Sequence, residues 1–367
     1  MGLPEQGVLV RVPATSANLG PGFDTLGLAL SLHDEVEARV TAAGLDIEVS
    51  GEGAGDVADA GERHLIVRAM RVAFDDLGLP QPPGLALRCV NRIPHGRGLG
   101  SSAAAIVAGL VAARALAGAS TLPEDVLPLA STLEGHPDNV AACLFGGLTI
   151  AWTAEDAPAG GFGETGQQPQ QPETYSAPQA PSRGLAPGEG VMGEGLPRDL
   201  GGHRGDHSPG GYRVRAIRLD PLPEVLPVAF IAPEPVSTKV ARGLLPRTVP
   251  HADAARNAGR AALLIAALTA RPDALLDGTE DMLHQDYRAP AMPHSHDLVT
   301  RLRAAGVPAV VSGAGPSVLA FLTEKTGQDP AKCLDSIARQ TGIDWHITPL
   351  VVERQGASAT PGVPSAR

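Results

Sequence analysis

The sequence contains few cysteines and few aromatic residues. Its three cysteines, Cys89, Cys143 and Cys333, lie far apart along the chain. This spacing excludes a disulfide framework and a metal site built from paired cysteines, and it favours structural thiols in a reducing compartment. Aromatic residues make up 3% of the chain, whereas hydrophobic residues make up 43%. We therefore expect cores built from Ala, Val and Leu.

The sequence also lacks an excess of basic residues and any long apolar run. It has 29 Lys and Arg against 40 Asp and Glu, which gives a formal net charge of −11. A nucleic-acid surface is therefore not expected, although an acidic chain can still bind phosphate through backbone N–H groups. No run approaches the ~18 apolar residues of a membrane span, and the opening MGLPEQGVLV lacks the pattern of a signal peptide. We expect a soluble, cytoplasmic protein with no membrane partner.

Glycine and proline are abundant, and their distribution indicates the domain organisation. The chain has 44 Gly and 34 Pro, and its 367 residues predict roughly two domains. The stretch 154–211 is rich in Gly, Pro and Gln, which predicts a disordered surface insertion between two strands. We expect a first domain at 1–153, the remainder of the core with a second domain at 212–353, and a flexible tail at 354–367.

One short stretch, PHGRGLGSSAAAIVAGL at 94–110, places alternating glycines directly before a predicted helix. Gly96, Gly98 and Gly100 leave the backbone bare, and a helix starting at Ser101 offers unpaired N–H groups and a positive dipole end. Both features suit a polyphosphate, and serine hydroxyls there could cap the helix or hold a magnesium ion. The alternative is a glycine-rich turn with a serine N-cap and no ligand.

The same stretch matches neither of two common nucleotide motifs. No Gly-Lys-Ser/Thr closes it as in a Walker A loop, and Ser101 occupies the third glycine position of the dinucleotide fingerprint. PHGRGLGSSAA instead resembles the second signature of the GHMP small-molecule kinases, which binds ATP phosphates. VPATSANLGPGFDTLGLAL resembles the opening motif of one branch of that family, the homoserine kinases, and VVSGAGPSVLAF resembles the third GHMP motif. With EGHPDN, the resemblance spans the chain apart from the insertion and the tail.

The resemblance implies an α+β protein with the two-domain GHMP kinase fold. Its N-terminal domain would be similar to ribosomal protein S5, with a left-handed β-α-β crossover, and its C-terminal domain would be ferredoxin-like. ATP would lie in the groove between them. The sequence pattern alone supports only a mixture of helices and strands. Family members are often homodimers, so a homodimer is left open.

The resemblance also assigns the ATP and magnesium (Mg2+) sites to the first domain. Ser102 and Glu134 would share the metal ion, because a carboxylate beside a hydroxyl suits this hard cation. The residues implied for ATP binding are Pro94, His95, Gly96, Arg97, Gly98, Leu99, Gly100, Ser101, Ser102, Ala103 and Ala104.

The substrate site implied by the resemblance holds L-homoserine. Asp24 can accept hydrogen bonds from an ammonium group, and Asn18 can hydrogen-bond a hydroxyl. In the family two arginines hold the carboxylate, and their planar forks fit that geometry. The matching arginines here are Arg242 and Arg288. The other implied substrate residues are Thr238, one helical turn before Arg242, together with His136 and Asn139.

Each of these residues also has an interpretation without a ligand. Asn18 and Asp24 could form an Asx turn, surface arginines are usually solvated, and a histidine such as His136 is more often structural. The stretch Gln285-Asp286-Tyr287-Arg288 departs from the commoner Glu-Pro-Tyr-Arg. The backbone setting of Arg288 is therefore left open.

The function that the resemblance implies is ATP-dependent phosphorylation of the homoserine hydroxyl to O-phospho-L-homoserine, in threonine biosynthesis. Phosphoryl transfer can rely on positioning and charge stabilisation, so a strong base is not obligatory. Catalysis is assigned to Asn18, Ser102 and Glu134, with Asp24 as the fallback base. The alternatives are a GHMP kinase for a different small alcohol, a nucleotide-binding module without turnover, and a dinucleotide oxidoreductase.

Overall fold

The computed structural model describes residues 7–55, 58–155, 212–323 and 330–362. Its strands are β1 (Val8–Ala17), β2 (Leu26–Thr41), β3 (Gly44–Gly51), β4 (Gly84–Asn91), β5 (Leu148–Glu155), β6 (Tyr212–Leu219), β7 (Leu226–Ile231), β8 (Ala309–Val311), β9 (Val318–Leu322), β10 (His346–Pro349) and β11 (Ser358–Pro361). Its α-helices are α1 (Leu65–Asp76), α2 (Ser101–Leu116), α3 (Pro123–Glu134), α4 (Pro137–Phe145), α5 (Thr238–Gly243), α6 (His251–Thr269), α7 (Leu275–Gly278), α8 (Gln285–Arg288), α9 (Pro293–Ala304) and α10 (Pro330–Arg339). Short 3-10 turns occur at Ala58–Arg63, Pro272–Ala274 and Ala289–Ala291.

The first sheet has seven strands and carries α1, α2 and α4 against it. Its order is β11-β1-β2-β4-β3, with β5 beside β2 and β6 beside β5. The parallel neighbours β3 and β4 are joined by α1, and the other pairs are antiparallel. Val8, Val10 and Val12 are buried on one face of β1, as the alternation of a strand requires. The pairing of β1 with β2 shifts after Pro13, so the strand bulges there and continues to Ala17.

The second sheet is antiparallel, with the order β10-β7-β9-β8. Helices separate β7 from β8, β8 and β9 are adjacent, and α10 precedes β10, which is the β-α-β-β-α-β pattern of a ferredoxin-like domain. Phe230 and Ala320 point to the core beside α9 and α10, whereas Ile231 and Phe321 point to the core shared with the first sheet. The predicted α+β, two-domain fold is confirmed. No helix in the described ranges combines the length and hydrophobicity needed to cross a membrane.

Small residues let the helices of the first domain pack closely, which explains how a core poor in aromatics can be dense. Ala103, Ala104, Ala108 and Ala112 of α2 are fully buried. A Cβ on Gly109 would lie 2.5 Å from the carbonyl oxygen of Ile66, so α2 crosses α1 with backbone near backbone. The expectation of a core rich in small aliphatic residues is confirmed.

Two of the three cysteines agree with the prediction of structural thiols. Cys89 and Cys143 are buried and free, and Cys333 is exposed and free. Burial raises the pKa of Cys89 to about 12 and also raises the pKa of Cys143. A thiol with so high a pKa is unreactive at neutral pH.

The C-terminal segment departs from its prediction. A flexible tail is expected from residue 354, but the structure pairs β11 with β1, and Gly356 lies against the backbone of Leu144. The N–H of Ala357 donates to the carbonyl oxygen of Cys143 at 2.7 Å. The prediction is wrong for 354–362, because this polar segment is held by backbone hydrogen bonds rather than by an apolar pattern. The predicted disordered insertion at 154–211 lies outside the described residues, except that Ala154 and Glu155 end β5.

The close approach of Gly356 predicts that a methyl group there destabilises the fold. In Gly356→Ala the new Cβ would lie 1.8 Å from the Leu144 carbonyl oxygen, so backbone must move. We expect the free energy of unfolding to fall by about 1–3 kcal/mol, as measured by denaturant titration.

The matched control is Gly259→Ala on the exposed surface of α6, where the new methyl group meets open space. This control should raise the free energy of unfolding by about 0.5–1 kcal/mol, because alanine favours the helix. Equal stability of Gly356→Ala and the wild type would contradict the ordered tail.

Candidate active site

A cavity of about 400 Å³ collects most of the predicted site residues. The predicted residues that line it are Asn18, Gly96, Gly98, Gly100, Ser101, Ser102, Glu134, His136, Asn139, Thr238, Arg242 and Arg288. Asp138 and Gly313 also line it and were not predicted. Asp24 lies behind the lining and contacts it through Arg242. Residues distant in the sequence therefore meet at one site.

The glycine loop, residues 94–100, leads into α2. Gly96, Gly98 and Gly100 all have positive φ, from 66° to 74°, which side chains disfavour. Added Cβ atoms would lie 2.2 Å from the Ser312 carbonyl oxygen at Gly98 and 2.0 Å from the Thr15 hydroxyl at Gly100. Glycine is therefore required both by the backbone conformation and by the space available.

The carbonyl oxygens of the glycine loop are bonded to the protein. The Gly96 carbonyl accepts from the Val236 N–H at 3.1 Å, the Leu99 carbonyl accepts from the Thr15 N–H at 3.1 Å, and the Gly98 carbonyl accepts from the Ser312 hydroxyl at 2.6 Å. These bonds fix the acceptors of the loop, so its donors are the groups left for a ligand.

The start of α2 differs from the prediction in its cap. Gly100 is the N-cap residue, and no side chain caps the helix. The serine cap that the sequence allowed does not form, because Ser101 and Ser102 lie inside the first turn of α2 and Gly100 holds the N-cap position. The first N–H groups of α2 therefore lack a side-chain partner, which suits an anion.

Several predicted ATP residues serve the loop without lining the main cavity. The guanidinium of Arg97 donates to the carbonyl oxygens of Ala232, His95 and Pro233 at 2.9, 2.9 and 2.7 Å, so this side chain fastens the loop to the second domain. Leu99 and Ala103 are buried in the core, and neither they nor Pro94 line this cavity or the second one described below. His95 and Ala104 line a second cavity.

The side chains of Ser102 and Glu134 contact each other beside the first turn of α2. The Ser102 hydroxyl donates to Glu134 Oε2 at 2.5 Å. Glu134 ends α3, where Gly135 takes a left-handed conformation and turns the chain towards α4. Burial raises the pKa of Glu134, although the Ser102 hydrogen bond opposes the change. The pair offers two oxygen ligands beside the glycine loop.

His136 and Asn139 are oriented by neighbours that the sequence analysis missed. His136 Nδ1 lies 2.6 Å from Asp138 Oδ1, and Asp138 is buried. Burial lowers the pKa of His136, but the hydrogen bond and charge of Asp138 outweigh it, so the net shift is upward. Asn139 Oδ1 accepts from the Thr15 hydroxyl at 2.8 Å. Only the spacing within EGHPDN could have indicated the role of Asp138.

The loop between β1 and β2, residues 18–25, forms a local Asx-type turn and also contributes to the cavity, so it agrees with both the structural and the substrate-binding interpretation of its motif. Asn18, Leu19 and Asp24 have positive φ. Asn18 Oδ1 accepts from the Asp24 N–H at 2.9 Å, as in a local turn, while Asn18 Nδ2 donates to the Gly313 carbonyl oxygen at 2.9 Å. The strained turn thus aims Asn18 into the cavity and places Asp24 beside α5.

Asp24 and Arg242 form a two-point ion pair. Arg242 Nη2 and Nη1 donate to the two carboxylate oxygens of Asp24 at 2.7 and 3.2 Å. Arg242 and Thr238 lie on α5 and both line the cavity, as their spacing of one turn predicted. The two groups proposed for the charged head of the substrate are therefore neighbours.

Arg288 is buried, with 1% of its surface exposed, yet it lines the cavity. Its Nη1 donates to the Gly313 carbonyl oxygen and to His284 Nδ1, both at 3.2 Å. Phe23 lies beneath both arginines, 5.8 Å from Arg242 Cζ and 5.4 Å from Arg288 Cζ. Burial lowers the pKa of Arg288, and the charge of Arg242 adds to the shift. The sequence analysis missed Phe23 and His284.

A second cavity of about 220 Å³ adjoins the first and shares Leu65, Ser101 and Ser102 with it. Apolar side chains of α1 and α2 form much of its wall. His64 also lines it, and His64 Nδ1 is buried without a hydrogen-bond partner in the described part of the chain. Burial lowers the pKa of His64, so this ring is neutral at physiological pH. The two cavities flank the start of α2.

Comparison with known proteins gives consistent matches. Residues 64–147 match the family described as the GHMP kinases N terminal domain. The chain is 48% identical over 357 residues to the homoserine kinase of Streptomyces coelicolor, covering 96% of this chain and 94% of that protein. It is 44% identical over 357 residues to the homoserine kinase of Clavibacter michiganensis, covering 96% and 93%. A crystal structure of homoserine kinase from Cytophaga hutchinsonii has the same fold, with a TM-score of 0.69 at 23% identity over 98% of this chain and 99% of that chain.

Removal of the Asp138 charge is expected to lower the pKa of His136. In Asp138→Asn the amide oxygen can still accept from the Asn139 N–H, but the negative charge is lost, so burial dominates the titration of His136. A histidine whose folded pKa is raised above its ordinary value of 6.5 stabilises the fold below about that pH, and this stability is lost as the pH rises through the folded pKa. NMR titration of the imidazole protons measures the shift.

The control is Asp286→Asn, since this carboxylate lies 3.2 Å from His296 in an exposed pair. It should leave the pKa of His136 unchanged. A His136 pKa that is the same in Asp138→Asn and in the wild type would show that this carboxylate does not control the ring.

Proposed function

This chain belongs to the homoserine kinases of the GHMP kinase family, and we propose how its cavity transfers the γ-phosphoryl group of ATP to the side-chain hydroxyl of L-homoserine. The product is O-phospho-L-homoserine, an intermediate of threonine biosynthesis. One observation carries the proposal. The start of α2, which no side chain caps, lies in the same cavity as Arg242 and Arg288, and Asp24 is paired with Arg242 behind the lining. Membership of a kinase family excludes the dinucleotide oxidoreductase interpretation.

The ATP phosphates bind at the glycine loop and the first turn of α2. The loop presents N–H groups because its carbonyl oxygens are already bonded, and the helix dipole adds a partial positive charge. The nucleoside occupies the second cavity, which opens from the same helix start and has an apolar wall. His64 Nδ1 there belongs to a neutral ring and has no hydrogen-bond partner in the described residues, so it could pair with a polar group of the base.

Ser102 and Glu134 are the residues that would hold Mg2+. Their hydroxyl and carboxylate oxygens are the hard donors that this cation prefers, and magnesium is commonly held by one carboxylate together with substrate phosphates. The described residues contain no group of three or more His, Cys, Asp or Glu suited to a metal ion, so phosphate oxygens and water would complete the coordination. When bound, the ion neutralises charge on the phosphates.

The charged head of homoserine binds among Asp24, Arg242 and Arg288. Asp24 accepts from the ammonium group, and the two guanidinium groups donate to the carboxylate. Thr238, His136 and Asn139 line the adjoining wall, where they would contact the rest of the substrate. Asp24 and Arg242 are each about one-third exposed, which supports the proposal that the substrate's two charges pair with them.

Alignment of the hydroxyl is assigned to Asn18. Its Oδ1 accepts one bond from the Asp24 N–H and keeps a second lone pair for the substrate hydroxyl. Asp138 raises the pKa of His136, so less of this ring is in the unprotonated form that could take up a proton, and Asp24 is paired with Arg242. Catalysis therefore depends on positioning and on positive charge around the phosphoryl group, which suits its loose transition state.

A cytoplasmic location and the lack of a nucleic-acid or membrane partner remain proposals that rest on the net charge of −11, the absence of a long apolar run and the N-terminal pattern. A homodimer is left open by the family resemblance. The second candidate function is a GHMP kinase for a different small alcohol. It would use the same phosphate site, and only the contacts of the cavity residues with the alcohol would differ.

A coupled ATP-consumption assay with purified protein, magnesium and L-homoserine tests the proposed function. We expect turnover of homoserine, and a kcat/KM at least about 100-fold lower for 4-hydroxybutanoate and for 3-aminopropan-1-ol, because each lacks one of the charges that the site pairs. Glu134→Ala, purified in the same way, controls for contaminating kinases. Preference for an uncharged alcohol would favour the second candidate function.

Arg242→Ala is expected to separate the two substrates. Loss of the guanidinium should raise the KM for homoserine at least about tenfold, since a charge-assisted hydrogen bond is worth roughly 1.5–3 kcal/mol. The KM for ATP should change less than about twofold, because Arg242 stands on the substrate wall.

The matched control for this variant is Arg256→Ala on the surface of α6, where the arginine pairs with Glu280 at 2.7 Å and is largely exposed. It should leave both KM values near those of the wild type. An equal rise of both KM values in Arg242→Ala would count against a role confined to homoserine.

A further inference from the structure

His284 is a fully buried titratable residue that the mechanism above does not use. It immediately precedes α8, which ends at Arg288. His284 Nε2 lies 2.9 Å from the Gly20 carbonyl oxygen, and because a carbonyl can only accept, Nε2 carries the proton. His284 Nδ1 is then unprotonated and accepts from Arg288 Nη1 at 3.2 Å. The ring therefore connects the β1–β2 loop with the proposed carboxylate-binding arginine.

The charge state of His284 fits this connection. Burial lowers its pKa and outweighs the opposing charge of Asp281, and the charge of Arg288 lowers it further. The imidazole is thus neutral beside a guanidinium, which it can accept from without repulsion. A protonated ring would present a second cation to Arg288.

The packing around His284 fixes the guanidinium from a second side. The His284 and Phe23 rings are 5.3 Å apart, and Phe23 lies under Arg288. Asp281 accepts from the N–H groups of His284 and Gln285 at 3.0 and 2.7 Å, which holds the backbone at the start of α8. The ring therefore cannot move without disturbing both Phe23 and Arg288.

A guanidinium needs more than one anchor to hold a fixed plane. The Gly313 carbonyl oxygen supplies one anchor to Arg288 Nη1, and His284 supplies the second to the same nitrogen. Arg288 Nε is buried with no hydrogen-bond partner in the described ranges, so the arginine is not held from that side. With His284 removed, the Gly313 carbonyl would be the remaining hydrogen-bond partner of Arg288 Nη1 among the described residues, and the face of Phe23 alone would not fix the direction of its N–H groups.

We propose that His284 is a positioning residue that sets the orientation of Arg288 towards the homoserine carboxylate. It does so as a neutral acceptor anchored on Gly20, which also couples Arg288 to the loop that carries Asn18 and Asp24. The inference rests on the proposed role of Arg288 in substrate binding.

The test measures KM for each substrate in His284→Leu and His284→Asn. Leucine removes both hydrogen bonds, and we expect the KM for homoserine to rise about tenfold with the KM for ATP changed less than about twofold. Asparagine keeps an acceptor near the position of Nδ1, so His284→Asn should recover much of the loss. The inhibition constant of 3-aminopropan-1-ol, which lacks the carboxylate, should be the same in His284→Leu and the wild type.

The matched control is Asn257→Leu. Asn257 donates to the Pro21 carbonyl oxygen at 2.8 Å and accepts from the Met282 N–H at 3.1 Å, so it joins the same two segments without touching Arg288. It should lower stability without the selective change in the KM for homoserine. The same selective change in Asn257→Leu, a parallel rise of both KM values in His284→Leu, or equal losses for homoserine and 3-aminopropan-1-ol would each overturn the inference. Failure of the proposed function is distinguishable, because the wild type would then not phosphorylate homoserine.

Discussion

The site depends on the bonding of the carbonyl oxygens of the glycine loop to the protein. Val236, Thr15 and the Ser312 hydroxyl satisfy three acceptors between Gly96 and Leu99. A loop with free carbonyl oxygens would present negative partial charge to a phosphate, whereas this loop presents donors. The donors of those three bonds come from the first sheet, from the segment after β7 and from the turn between β8 and β9. The anion site therefore exists only when both domains are folded and joined.

The turn between β8 and β9 extends the same dependence to the substrate wall. The Gly313 carbonyl oxygen accepts from Asn18 and from Arg288, and the Gly313 N–H donates to the Ala17 carbonyl oxygen at 3.1 Å. The group proposed to align the hydroxyl and a group proposed to hold the carboxylate thus share one acceptor. A shift of this turn would move the glycine loop, Asn18 and Arg288 together. In the proposed site, the distance between ATP and homoserine therefore depends on one short segment.

The sequence predicts those parts of the site whose residues are close together in the chain. The glycine loop and EGHPDN carry their chemistry within a few residues, so their placement at a helix start and beside Glu134 follows from local rules. The paired spacing of Thr238 and Arg242 was predictable for the same reason, whereas the two-domain fold came from the family resemblance. The structure corrects the serine cap because α2 begins at Ser101, so Gly100 is the N-cap residue and both serines lie inside the helix. It corrects the tail because β1 offers an edge for pairing, which composition does not reveal. Phe23 and His284 were missed because they contact groups from other elements. Asp138 was missed although its partner His136 is two residues away, because the spacing alone does not show which side chain the carboxylate contacts.

The burial of Arg288 explains why so many neutral groups surround it. A buried guanidinium without partners would be costly, because it loses its hydration. The Gly313 carbonyl, the neutral ring of His284 and the face of Phe23 replace part of that hydration with fixed dipoles and a π-system. None of these groups cancels the charge, whereas Asp24 pairs directly with Arg242. The fold thus offsets the desolvation of Arg288 during folding and leaves its positive charge for a carboxylate. In the role proposed for Arg288, an arginine held in this way loses little entropy or hydration on binding a carboxylate, which would favour an amino acid over an uncharged alcohol.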